Sequence, residues 1–200
     1  MRKAFKNEKG FTLIELAIVL VIIGIIIGAV LKGQDLVDSA RHKKLTTEIK
    51  QWEVATWTYM DRKGRLPGDA DKDGTIEAAE NVKTDFDGSG LAIAPTTNTL
   101  TLGSSTFYLF LGNADTRKNV IAVCASEICG ADLGDDGVLF AESVDNSIDG
   151  TIGSNAGRVV GTTGLTGVSA TWVAHTPTTP YMANWTSAAK AILYFFDRKP

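Results

Sequence analysis

From Phe11 to Leu31 the chain runs for 21 residues in which Thr12 and Glu15 are the only polar side chains. As a helix rising ~1.5 Å per residue, that run covers about 31 Å, close to the hydrocarbon thickness of a bilayer. No other stretch is as continuously apolar, so the rest of the chain reads as what this segment carries.

Charge is distributed unevenly around it. Lys plus Arg is 20 and Asp plus Glu is 23, for a net charge of −3. Arg2, Lys3, Lys6 and Lys9 stand against Glu8 alone in the first ten residues. The remainder is therefore acidic. A basic head before an apolar span predicts a cytoplasmic N-terminus by the positive-inside bias. An acidic body without a basic patch argues against nucleic acid as a partner.

A basic start followed by an apolar run also describes a secretory signal peptide. Here the run is too long for one, Leu31-Lys32-Gly33-Gln34-Asp35 is a poor cleavage site, and Glu15 puts a charge inside the run. Cleavage before the run is the other possibility. Lys9-Gly10-Phe11-Thr12-Leu13-Ile14-Glu15-Leu16 resembles the type III signal of type IV pilins and type II secretion pseudopilins. The resemblance covers residues 9–31. It implies that a prepilin peptidase cuts after Gly10 and methylates the new N-terminal Phe11. It also implies that Glu15 is the glutamate five residues into the mature chain. The family's helix-bending proline is missing, and Gly24 and Gly28 stand where they would loosen the helix or let another helix approach.

Glu15 supports assembly on physical grounds too. A carboxylate inside a membrane helix costs roughly 2.5–3.5 kcal/mol and calls for a partner. Cleavage at Gly10 creates an amine at Phe11, and pairing it with Glu15 of a staggered neighbour would set a repeating offset in a helical filament. The plainer alternatives are that Glu15 reaches the membrane interface or pairs with its own amine.

After Lys32 the apolar residues become spaced: Leu36, Ala40, Leu45, Ile49, Trp52, Ala55 or Thr56, and Tyr59. That is one stripe on a helix. The expectation is a single helix from about Phe11 to about Lys63, ended by Gly64 and Leu66-Pro67-Gly68, with the stripe packed on a head domain.

Asp69-Ala70-Asp71-Lys72-Asp73-Gly74-Thr75-Ile76-Glu77-Ala78-Ala79-Glu80 has the spacing of an EF-hand calcium loop. Asp69, Asp71, Asp73 and Glu80 take the oxygen-ligand positions, and Gly74 the turn. Thr75 would add its backbone carbonyl, Glu77 a direct or water-mediated contact, and Ile76 an inward side chain. The alternative is a solvated acidic turn. Asp85-Phe86-Asp87-Gly88-Ser89-Gly90 starts in the same way but lacks a closing acid.

From Leu91 the chain is strand-like, with β-prone runs at 99–102, 107–111, 120–123, 158–160 and 170–174. Residues 137–144 suggest a short helix, 145–150 an acidic turn, and 187–196 a closing helix. Cys124 and Cys129 stand far from His42 and His175, too few and too dispersed for a metal site. On the far side of a membrane they would form a local disulfide, and otherwise two buried thiols. No catalytic motif is present, and Asn184-Trp185-Thr186 is a chance glycosylation sequon.

The expected fold is α+β: a long N-terminal hydrophobic helix packed against a small β-rich head. The expected organisation is a leader at 1–10, a membrane or filament-core helix at 11–32, and an amphipathic continuation at 33–63. An acidic calcium-loop region at 64–90 and a head at 91–200 complete it. The resemblance implies a non-enzymatic filament subunit held in the inner membrane before assembly and periplasmic or extracellular afterwards. Its partners would be other pilin or pseudopilin subunits, prepilin peptidase and an inner-membrane assembly platform. A single-pass anchored binding or enzyme domain that does not polymerise, and a pilus-borne adhesin or DNA-uptake subunit, are the rival readings.

Overall fold

The computed structural model describes residues 10–77, 81–114, 118–155, 157–165, 168, 170–174 and 181–197. The chain divides into two compact units, Met1–Ala40 and Arg41–Pro200, taken separately below.

In the first unit, helix α1 (Leu13–Lys63) begins and runs on without a break into the second. Every large apolar side chain from Phe11 to Leu31 is exposed, from 46 % at Ile23 to 88 % at Leu13. Each such Leu or Ile left in water forgoes about 1.5–3 kcal/mol of burial. A helix apolar on all sides belongs in lipid or among other helices. Leu36, expected to start the packing stripe, is 63 % exposed, and Ala40 is also exposed. The stripe starts at Leu45, inside the second unit.

There Leu45, Ile49, Trp52, Ala55, Thr56 and Tyr59 of α1 are all buried. Gly64 ends the helix at φ 70°, its N–H bonded to the Met60 carbonyl at 2.8 Å. This left-handed position is why a glycine stands there.

The helix packs on a five-stranded, wholly antiparallel sheet. Its strands are β1 (Thr99–Leu102), β2 (Ser105–Ala114), β3 (Lys118–Cys124), β4 (Val159–Thr162) and β5 (Ala191–Phe195), in the order β1-β2-β3-β5-β4. The two-residue period of a strand sends alternate side chains to opposite faces. Phe107, Leu109, Leu111, Ile121, Val123, Ile192 and Tyr194 join the core with α1 and with α3 (Gly134–Asp149). Phe110, Val120, Ala122, Leu193 and Phe195 form a second core with Ala174, Leu165 and Tyr181. Both faces are covered, which is why β3 and β5 read as nearly unbroken apolar runs.

Three local expectations are corrected. Residues 187–196 hold the interior strand β5 rather than a helix, because a five-residue wholly apolar run suits a strand buried on both faces. Residues 170–174 form one bridge, Leu111 to Val173, because Trp172 adopts φ 64° and turns its indole to 5.7 Å from that of Trp52. The acidic residues 145–149 belong to the last turns of α3. There Asp145 accepts the Gly153 N–H at 2.7 Å and the Trp185 indole N–H at 3.0 Å. Asp149 accepts the N–H groups of Arg158 and Val159 at 2.7 and 2.8 Å. These carboxylates serve backbone and indole donors, which makes this end of α3 structural.

Candidate functional site

Two places draw functional residues together, one in each unit. The first is the start of α1. Thr12 caps the helix, and its N–H and its hydroxyl both donate to Glu15 Oε2, at 2.7 and 2.8 Å. In return the Glu15 N–H donates to the Thr12 hydroxyl oxygen at 3.3 Å. This is a capping box, and its signature Thr-x-x-Glu was readable in the sequence but not among the expectations above. Gly10 and Phe11 lie exposed just before it. The Glu15 carboxylate is thereby held at the positive end of the helix, next to where cleavage after Gly10 would create an amine.

The second place is the acidic loop after α1. Asp69 is 2 % exposed. Its Oδ1 accepts the Asp73 N–H at 3.1 Å and its Oδ2 the Gly74 N–H at 3.2 Å. The Asp71 carboxylate also accepts from the Asp73 N–H, and the Asp73 carboxylate accepts the Thr75 N–H at 2.8 Å. Gly74 stands at φ 88° and Lys72 at φ 64°, so the backbone winds tightly around the carboxylates. One oxygen each from Asp69, Asp71 and Glu77 lies within 4.8 Å of the other two. Asp73 is not in that trio, and Glu80 lies outside the described residues. Thr75 and Ile76 are buried, Ile76 within the core.

Side chains outside the loop fix it at both ends. The Glu77 N–H bonds the Gly68 carbonyl at 2.9 Å and closes the neck. On the entry side, Arg65 pairs with both oxygens of Asp85 at 2.7 and 2.8 Å. Asp85 also accepts the Gly68 N–H at 2.8 Å. Asp85 sits in helix α2 (Val82–Asp87), so the second acidic motif braces the first. Burial alone would raise the Asp85 carboxyl, but the Arg65 guanidinium, the Gly68 N–H and the Tyr59 hydroxyl together hold it below its usual range. Burial and then the Asp85 charge push the Tyr59 phenol up to about 12. On the exit side, Asn119 bonds both Gly74 and Ile76.

A third polar cluster is structural. The Tyr194 hydroxyl donates to Glu53 Oε2 at 2.9 Å, Lys50 reaches both, and Arg158 lies over the Tyr194 ring. Burial raises the Tyr194 phenol above its ordinary pKa. Cys124 and Cys129 are joined as a disulfide with Cα atoms 5.1 Å apart. His42 stacks on Phe140 at 4.4 Å between ring centroids. His175 lies outside the described residues.

Set against known proteins, residues 5–31 match the family model described as the prokaryotic N-terminal methylation motif. No curated protein and no solved structure matches the chain. The matched segment holds Gly10, Phe11 and Glu15 and opens the one described helix long and apolar enough to cross a membrane. That motif is the signature of type IV pilins and pseudopilins, which the chain resembles over residues 5–31.

Proposed function

We propose that this protein is a structural subunit of a bacterial type IV pilus-like filament. Prepilin peptidase cuts it after Gly10 and methylates Phe11. The processed chain waits in the inner membrane and is then drawn into the filament as Glu15 pairs with the Phe11 amine of a neighbour. The observation that carries this reading is the methylation motif set directly before a helix start where Thr12 presents the Glu15 carboxylate. The all-round exposure of residues 11–31 supports a lasting environment of other apolar helices. Mass spectrometry of the membrane-extracted protein tests it. A chain beginning at methyl-Phe11 is expected, and a chain beginning at Met1 would sink the reading. Service as a type II secretion pseudopilin shares every one of these features and differs in the machine that uses the filament.

We also propose that the 69–80 loop holds Ca²⁺ through Asp69, Asp71 and Glu77, with Asp73, the Thr75 carbonyl and Glu80 completing the shell. The donors fit. Calcium takes hard oxygen ligands at about 2.4 Å, so ligands across one ion stand no more than ~4.8 Å apart, the limit within which the three carboxylates converge. Bound calcium would offset their mutual repulsion. Trp57 and Asp69 line one groove of about 420 Å³, so terbium in the loop should emit on indole excitation. That emission should fall on adding calcium and vanish in Asp69→Asn. Absence of emission at millimolar terbium would remove the ion from the account.

A further inference from the structure

The exit of the acidic loop shows an unusual division of labour. Gly74 to Glu77 is a short loop segment whose backbone groups need partners once Thr75 and Ile76 are buried. No strand pairs with it among the described residues. The Thr75 and Glu77 N–H groups are taken within the loop, and one side chain from outside it serves the Gly74 carbonyl and the Ile76 N–H. The Asn119 Nδ2 donates to the Gly74 carbonyl at 2.8 Å, and its Oδ1 accepts the Ile76 N–H at 2.9 Å. Its amide thus meets one acceptor and one donor two residues apart, as a peptide unit of a neighbouring strand would. The orientation of the amide is settled by chemistry, because Nδ2 also donates to Asp197 Oδ2 at 2.8 Å. A carboxylate can only accept there. The Asn119 backbone N–H donates to the same carboxylate, at 3.1 Å to each oxygen. Asn119 is 1 % exposed and sits at the start of β3, the middle of the sheet.

We propose that Asn119, braced by Asp197, is a clamp that holds the 69–77 loop closed without any ion, so that a cation meets a loop already formed. The clamp stands on its own hydrogen bonds, while its meaning for ion binding rests on the calcium reading given above. Three carboxylates repel one another when no cation is present, and a loop held only by its own turns would open under that repulsion. Asn119 ties the loop to the most deeply buried part of the sheet, and the Gly68–Glu77 bond shuts the neck. A preformed loop also spares an ion the ordering cost that binding would otherwise bear. Removing the clamp should therefore weaken cation binding, even though Asn119 supplies no ligand.

Amide exchange and limited trypsin digestion of the full-length protein in detergent, with chelator present, test the clamp. Lys72 is exposed within the loop and is the trypsin site that reports its opening. In the unsubstituted chain the Ile76 amide is expected to exchange at least a hundredfold more slowly than that of Lys72. In Asn119→Ala, cleavage after Lys72 should be at least tenfold faster, and terbium should bind at least tenfold more weakly. An Ile76 amide that is protected only after calcium is added would overturn the clamp, and so would an Asn119→Ala chain cut no faster than the parent. Should Asn119→Ala fail to fold, the exchange measurement on the parent decides alone. If neither terbium nor calcium binds while Ile76 is protected, the calcium reading fails and the clamp stands.

Discussion

The Arg65 guanidinium engages both oxygens of Asp85, at 2.7 and 2.8 Å, and so ties the exit of the long helix to α2. The same carboxylate takes the Gly68 N–H at the neck of the acidic loop. Its pKa is held below the ordinary carboxylate value in the folded state. The stability it contributes is therefore complete above the unfolded carboxyl pKa and is lost as pH falls through the lower folded value. Asp85→Asn is expected to cost about 1.5–3 kcal/mol at pH 7, the usual range for hydrogen bonds to charged groups. Urea denaturation of both proteins from pH 7 to pH 2 should show the gap constant down to about pH 5 and closing below about pH 4. A gap independent of pH would mean that the pair is not what Asp85 contributes.

The capping box separates two uses of Glu15 that Glu15→Ala alone would confound. Glutamine can close the same box but carries no charge. Glu15→Gln should therefore be processed, inserted and helical, yet yield few filaments, if pairing with an amine drives assembly. Thr12→Ala should cost about 1 kcal/mol of helix stability and reduce filament yield less. Normal yield from Glu15→Gln, read by shearing and immunoblot, would assign Glu15 to capping alone.

The Tyr59 phenol, pushed up to about 12 from the ordinary 10.0 of a phenol, makes a prediction at the other end of the pH scale. A raised acid contributes stability in full below its unfolded pKa and loses it as pH climbs towards the folded value. The head should lose stability between pH 10 and pH 12 more steeply than Tyr59→Phe does. Parallel losses in the two proteins, measured by urea midpoints at pH 9 to 11.5, would contradict this.

The Cys124–Cys129 bond closes only a short loop, so its entropic contribution is modest, about 2 kcal/mol by chain statistics. A double substitution to alanine should lower the thermal midpoint of the head by roughly 4–8 °C without abolishing folding. The comparison should be made with parent protein kept oxidised. A collapse of the fold would mean that the pair holds more than its own short loop.

What was legible in the sequence followed from strong local signals. A spanning apolar run, a spaced stripe and a glycine after Lys63 made the helix readable from Phe11 to Lys63, and the observed helix runs from Leu13 to Lys63. Strands flanked by turn residues, such as Thr99–Leu102, were equally plain. Residues 187–196 were misread because alanine, leucine and lysine favour helices locally, while burial of Ala191–Phe195 on both faces of a sheet overrides that preference. Trp172 was misread because nothing in a β-prone run announces a left-handed residue. At the candidate sites, Gly10, Phe11, Glu15 and the loop carboxylates were visible because motif spacing is local. Asn119, Asp197, Arg65 and Asp85 were not, because their roles depend on contacts made across the fold. Only the Thr12 cap carried a local signal that could have been used.

Strand β5 lies between β3 and β4, yet it is the last of the three to be synthesised. Strand β4 is made some thirty residues before its one strand neighbour among the described residues, and β3 faces an empty lane until residues 191–195 arrive. The sheet therefore closes at an interior strand at the end of synthesis, by long-range pairing of the slow kind. A nascent head would wait as an open β-template, so protection from neighbouring chains matters more here than in a head whose last strand is an edge.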